Sequence, residues 1–177
     1  MFIKIQYKIT LILLSFLLIF SSCNIKSGYD YESHHIKYHQ KHIELIVSMT
    51  SFINQSFATT KKFLKMQEGD DNIKKESIMN QWRVTISFID KLNNMTSVYR
   101  DNYINNNLTT NSIIDVTKAN TALKTIILPI ETEFKVEVRK GSYDKALKRV
   151  TQVESKINKS LANLLEATKN YQKQITK

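Results

Sequence analysis

The chain has one cysteine, one proline and three glycines in 177 residues. Each scarcity excludes something. Sandwiches, barrels and α/β folds turn often, and their turns draw on glycine and proline. Usage this far below average argues instead for long helices joined by few, short loops. A lone cysteine excludes a disulfide framework and a cysteine-rich zinc module. No G-x-S-x-G elbow, phosphate-binding loop or C-x-x-C-H haem attachment site occurs, and Glu-x-x-His motifs do not come in the pair a di-iron bundle requires. With few loops on which to build an active site, the expectation is a non-enzyme that needs no cofactor. Acids are outnumbered too, 16 against 26 lysines and arginines, for a net charge of +10.

The N-terminus reads "MFIKIQYKITLILLSFLLIFSSC". Lys4 and Lys8 form a positive segment without acids. Ile9 to Phe20 is then apolar apart from Thr10 and Ser15. A helical span of a bilayer needs about 20 apolar residues, so this run is too short to cross and has the pattern of a secretory signal. It ends in "IFSSC", two small residues before the only cysteine. That ending resembles a bacterial lipobox, with Phe20 where leucine is usual. Together with the Lys/Asn/Ile-rich remainder, it is similar to the relaxed lipoboxes of spirochaete surface lipoproteins. The resemblance covers the signal alone. It implies cleavage after residue 22, lipidation of Cys23 and membrane attachment. Asn24, next to the cysteine, leans toward the outer membrane, with the surface and the periplasmic face both open. The expected division is a signal over 1–22, a lipidated tether over 23–30 and a helical domain over 31–177. Lys4 and Lys8 leave with the signal, lowering the net charge to about +8.

Periodicity then predicts four helices. The first covers about Tyr31 to Met66, with Ile36, Ile43, Ile46, Ile53, Phe57 and Leu64 as its seam and Val47, Met49 and Phe63 widening it. "QEGDDN" follows, with Gly69 as C-cap and Asp70 or Asp71 as the next N-cap. The second covers about Asn72 to Ile104, with Ile78, Trp82, Ile86, Ile89, Leu92, Tyr99 and Tyr103 in its stripe. "NNNLTTN" interrupts it. The third starts near Asn111 or Ser112, with Asp115 in its first turn and Ile113, Val116, Ala119, Leu123, Ile126 and Ile127 on its face. Pro129 predicts a kink or break near Leu128. Beyond it, "PIETEFKVEVRK" alternates like a short strand, but a kinked helix running to Lys140 and stopped by Gly141 is preferred, since no partner strand is at hand. The fourth starts at Tyr143, with Leu147, Val150, Glu154, Ile157, Leu161, Leu164, Thr168, Tyr171 and Ile175 at three–four spacing. Four similar helices with short connections imply an all-α, up-down-up-down bundle. Its length would be about 45–50 Å at 1.5 Å per residue.

All four histidines fall in "YESHHIKYHQKH", residues 31–42. Glu32, His35, His39 and His42 share one helix face. Imidazoles at i and i+4 are a spacing that holds zinc or copper. One straight helix does not wrap four donors around an ion, so such a site needs a ligand from another helix, and Glu154 is the candidate. The competing reading makes these histidines core-edge residues. A pH-responsive surface is a third reading, since an unperturbed imidazole titrates near 6.5.

The fourth helix carries Lys145, Lys148, Arg149, Lys156 and Lys159, a basic surface for an acidic protein or an anionic glycan, or a solvated face. Its cations read as spread around the helix, without the interleaved aromatics of a nucleic-acid motif. Tyr29, Tyr31 and Tyr38 gather near the tether. The functional expectation is a membrane-anchored envelope lipoprotein whose bundle binds another macromolecule, a host or envelope protein or an anionic glycan. The alternatives are a metal- or small-ligand-binding bundle and a purely structural envelope protein.

Overall fold

The computed structural model describes residues 31–66, 70–104 and 111–175. The signal, Cys23, the tether, Gly69 and the 105–110 interruption lie outside them. So do the side chains of Glu32 and His35. Four helices account for nearly all the described chain: α1 Tyr31–Lys65, α2 Asp71–Ile104, α3 Asn111–Arg139 and α4 Tyr143–Ile175. The compact unit is His35–Lys177, and of the unit before it only the first turn of α1 is described. Among the described residues no helix is long and apolar enough to cross a membrane.

The helix ends follow from local chemistry. The Asp70 carboxylate accepts from the backbone N–H of Asn72 at 2.8 Å and of Ile73 at 3.2 Å, which makes it the N-cap of α2. At the other hairpin Gly141 takes φ +72°, the left-handed conformation. The Gly141 amide donates to the Val138 carbonyl at 3.0 Å and the Ser142 amide to that of Glu137 at 2.9 Å. This pair of bonds is a Schellman cap, and it ends α3 where glycine tolerates a positive φ without strain. The helix continues through Pro129 to Arg139, so the strand alternative is excluded and Pro129 does not end the helix. Asp115 falls one residue beyond the first turn and reaches Lys118 at 3.8 Å instead.

Side-chain pairs set the order of the bundle. Along α1 and α2, His39 meets Tyr99, Phe52 meets Phe88 and Phe57 meets Trp82, so one number falls as the other rises. The same antiparallel register joins α1 to α4 through His39–Tyr171 and Lys61–Glu154. It joins α2 to α3 through Asn93–Asn120 and Trp82–Phe134, and Glu133–Arg149 bridges α3 and α4. The parallel diagonal, α2 with α4, shows in Tyr99–Tyr171 at one end. At the other end the Tyr143 hydroxyl donates to Asp71, and Lys74 sits 3.8 Å from the Tyr143 ring centre.

The core is built from Ile46, Ile53, Phe57, Ile78, Trp82, Leu92, Leu123, Phe134, Val150, Ile157 and Leu164, all buried. Several polar residues that enter it are held by hydrogen bonds within their own helix or to a neighbouring one. Thr60, Thr85 and Thr168 donate to the carbonyls four residues earlier, which lets threonine occupy seam positions. Asn120 ties α3 to α2, its amide donating to the Asn93 carbonyl and to the Ser97 hydroxyl. Ile36 and Val47, expected in or beside the α1 seam, are instead exposed, at 43% and 51%.

Glu154, the acid in the α4 seam, is matched by Lys61 at 2.7 Å, with both side chains partly covered. Lys61→Met is expected to cost about 1–2 kcal/mol in urea unfolding, because it strands a half-buried carboxylate. The double variant K61M/E154L is expected to recover most of that loss. A double variant no better than K61M alone would show that the ion pair is not what the single change removes.

Candidate functional site

The histidine segment builds a cluster. Positions 39 and 42 lie on the α1 face turned to the core, and both imidazoles are buried. His39 Nδ1 and the Tyr99 hydroxyl form a 2.5 Å hydrogen bond between α1 and α2. The His39 ring also meets Tyr171 of α4 edge-on, with centroids 5.3 Å apart. His42 lies flat on Tyr99 at 3.9 Å and 9°. Tyr38 stacks on Tyr99 at 5.9 Å and accepts a hydrogen bond from Asn102. Two imidazoles and three tyrosines thus join α1, α2 and α4 in one ring assembly.

Burial dominates its electrostatics. Removal from water pushes the His42 imidazole down to about 3, with repulsion from His39 adding to the effect. Tyr171 is pushed up to about 12 by burial. His42 is therefore neutral at physiological pH, and its Nε2 is buried without a hydrogen-bond partner. Such a group packs. Near neutrality it carries no charge and is almost removed from water.

The structure separates Glu154 from the two described histidines. Glu154 pairs with Lys61, which stands 22 residues along α1 from His39, about 33 Å at helical rise. It cannot complete a site with the histidines. Among the described residues no three His, Cys, Asp or Glu side chains come together to hold an ion. Tyr99 and Tyr171, the partners the histidines do have, were legible as seam residues, but their meeting with His39 depends on inter-helix register.

The second candidate is the outer face of α4. Lys145, Lys148, Arg149, Lys156 and Lys159 are all exposed. Their spacing of three, four and seven places them in one sector, on the side away from the buried Val150, Val153, Ile157 and Leu164. They form a stripe, which corrects the expectation that they are spread around the helix. On α1, an open depression is lined by Ala58, Lys61, Lys62, Lys65 and Met66.

No family model matches the chain, and neither a curated protein nor a solved structure matches it.

Proposed function

We propose that the chain is an envelope lipoprotein, attached through lipid on Cys23, whose bundle binds another macromolecule. The observation that carries this is the ending "IFSSC", small residues directly before the only cysteine after a short apolar run. Acylation gives that cysteine a role in an exported chain that has no second thiol to pair with. Each buried methylene of the acyl chains contributes about 0.8 kcal/mol to attachment. The bundle supports the reading from the other side. Its own apolar side chains build a buried core, and it leaves a charged helix face in the open.

A metal-binding bundle is the rival reading. It would draw on Glu32, His35, His39 and His42 with zinc or copper. His39 Nδ1 is already committed to Tyr99 and both described rings are packed among tyrosines, so we favour the macromolecular partner.

The test is metabolic labelling with a fatty acid, followed by protease treatment of intact cells. The wild-type chain is expected to take up label and to be shaved from the surface. Cys23→Ser is expected to lose the label and to leave the membrane fraction. An unlabelled wild type would overturn the anchor. A labelled chain protected until the envelope is broken would restrict the partner to the periplasm.

A further inference from the structure

We infer that the exposed face of α4 from Lys145 to Lys159 is a docking surface for a linear anionic polysaccharide carrying sulfate or carboxylate groups. The inference rests on the lipoprotein reading above and names its partner class. The stripe holds five cations along about 21 Å of helix, with exposed Gln152 among them as a hydrogen-bonding side chain.

Four of the five cations of the face are left un-neutralised. Of the acids nearest it, Glu154 turns inward to Lys61, and Glu133 is engaged by Arg149 at 3.0 Å. Lys145, Lys148, Lys156 and Lys159 make no ion pair among the described residues, where only Asp144 and Glu166 mark the ends of the stripe. Elsewhere some cations are paired within their own helix, Lys75 with Asp71, Arg100 with Asp101, Lys118 with Asp115 and Lys135 with Glu131, whereas exposed Lys37, Lys41, Lys91 and Lys124 also make no ion pair among the described residues. Antiparallel register through Lys61–Glu154 sets Lys62 and Lys65 of α1 level with the middle of the stripe. They add to the positive field at that level of the bundle.

What the face lacks selects among polyanions. None of the large exposed apolar side chains belongs to α4 among its described residues. A protein partner is held by buried aromatic and aliphatic anchors, and a bilayer surface by inserted ones. The two aromatic residues of α4 are occupied, Tyr171 in the core and Tyr143 against Asp71 and Lys74, so nothing remains for nucleobase stacking. Lysine is a flexible point charge that does not demand the fork geometry of a carboxylate pair. A regular row of such charges suits a flexible chain of repeating anions, held by electrostatics and counterion release.

The full lipidated chain in neutral detergent is applied to immobilised heparin and, separately, to hyaluronate. Wild type is expected to be retained at physiological salt and released steeply as salt rises. K145Q/K148Q/K156Q/K159Q is expected to lose at least tenfold in affinity with an unchanged helical spectrum. The Lys→Arg version of the same four positions is expected to bind within about threefold of wild type. The charge-matched K37Q/K41Q/K91Q/K124Q is expected to bind within about twofold. Retention on heparin alone identifies sulfate, and retention on both identifies the carboxylate as sufficient. Equal losses in both glutamine variants would reduce the effect to net charge and overturn the site. So would displacement of heparin by phosphatidylglycerol vesicles, which would make the face a membrane contact. A wild type that is shaved from intact cells but not retained on either glycan would overturn this inference while leaving surface display standing. Full protection from protease would instead remove the outward-facing reading.

Discussion

Acidifying the folded chain from pH 7 to pH 5 is expected to remove about 2 kcal/mol of stability through His42 alone. The imidazole is 6% exposed and titrates at about 3 when folded, against an ordinary value of 6.5. Between those values the unfolded chain binds a proton that the folded chain refuses, so protons favour unfolding. The stability is intact above pH 6.5 and drains away as the pH falls toward 3. In a domain of this size about 2 kcal/mol corresponds to roughly 4–8 °C in melting temperature. His42→Phe keeps an aromatic ring against Tyr99 and removes the titration. Its melting temperature is expected to fall by clearly less between pH 7 and pH 5 than that of wild type. Equal slopes for the two proteins would place the acid sensitivity elsewhere. The effect enters at the end of the bundle where α1 begins. Hydrogen exchange at pH 5 is expected to show the first protection lost around His39–Ile46 and around Tyr99.

Trp82→Ala is expected to be the most damaging single change in the core, at about 3–5 kcal/mol. The indole is fully buried, with the Phe134 ring centred 4.4 Å away and Phe57 at 6.3 Å. It therefore bridges α2 to α3 and to α1 at once, and no flanking side chain is large enough to refill its place. Urea unfolding followed by far-UV circular dichroism measures the loss independently of indole fluorescence, since this is the only tryptophan. Trp82→Phe is expected to cost less than half as much. It retains a ring and also deletes an Nε1–H that is buried without a partner. Val84→Ala, two residues away on the exposed side of α2, is expected to stay within about 0.5 kcal/mol. A Trp82→Ala loss as small as that of Val84→Ala would mean the core is loosely packed around residue 82.

The four helices and their ends were readable within a residue or two, because caps and seams are local. Asp70 and Gly141 act through bonds to residues no more than four positions away. The places where the seam misled are those where a residue's fate depends on another helix. Ile36 and Val47 have the right spacing but the wrong side of α1. Glu154 interrupts the α4 seam because Lys61 lies opposite it on α1. The α4 cations, scattered along the sequence, gather into a stripe once the helix turns them to one side of its buried face.

By itself the sequence determined the class of the domain: all-α, four long helices, two of their caps, most of the core and the need for no disulfide. These follow from composition and from periods of three and four, both properties of one segment at a time. The tertiary structure alone decided that His39 and His42 are core residues packed on Tyr99 and Tyr171, that Glu154 belongs to Lys61, and that Arg149 of the α4 stripe meets Glu133. Each of these depends on the register between helices. That register is set by the sum of side-chain volumes and polar matches across the whole interface, and no single stretch of the chain contains it.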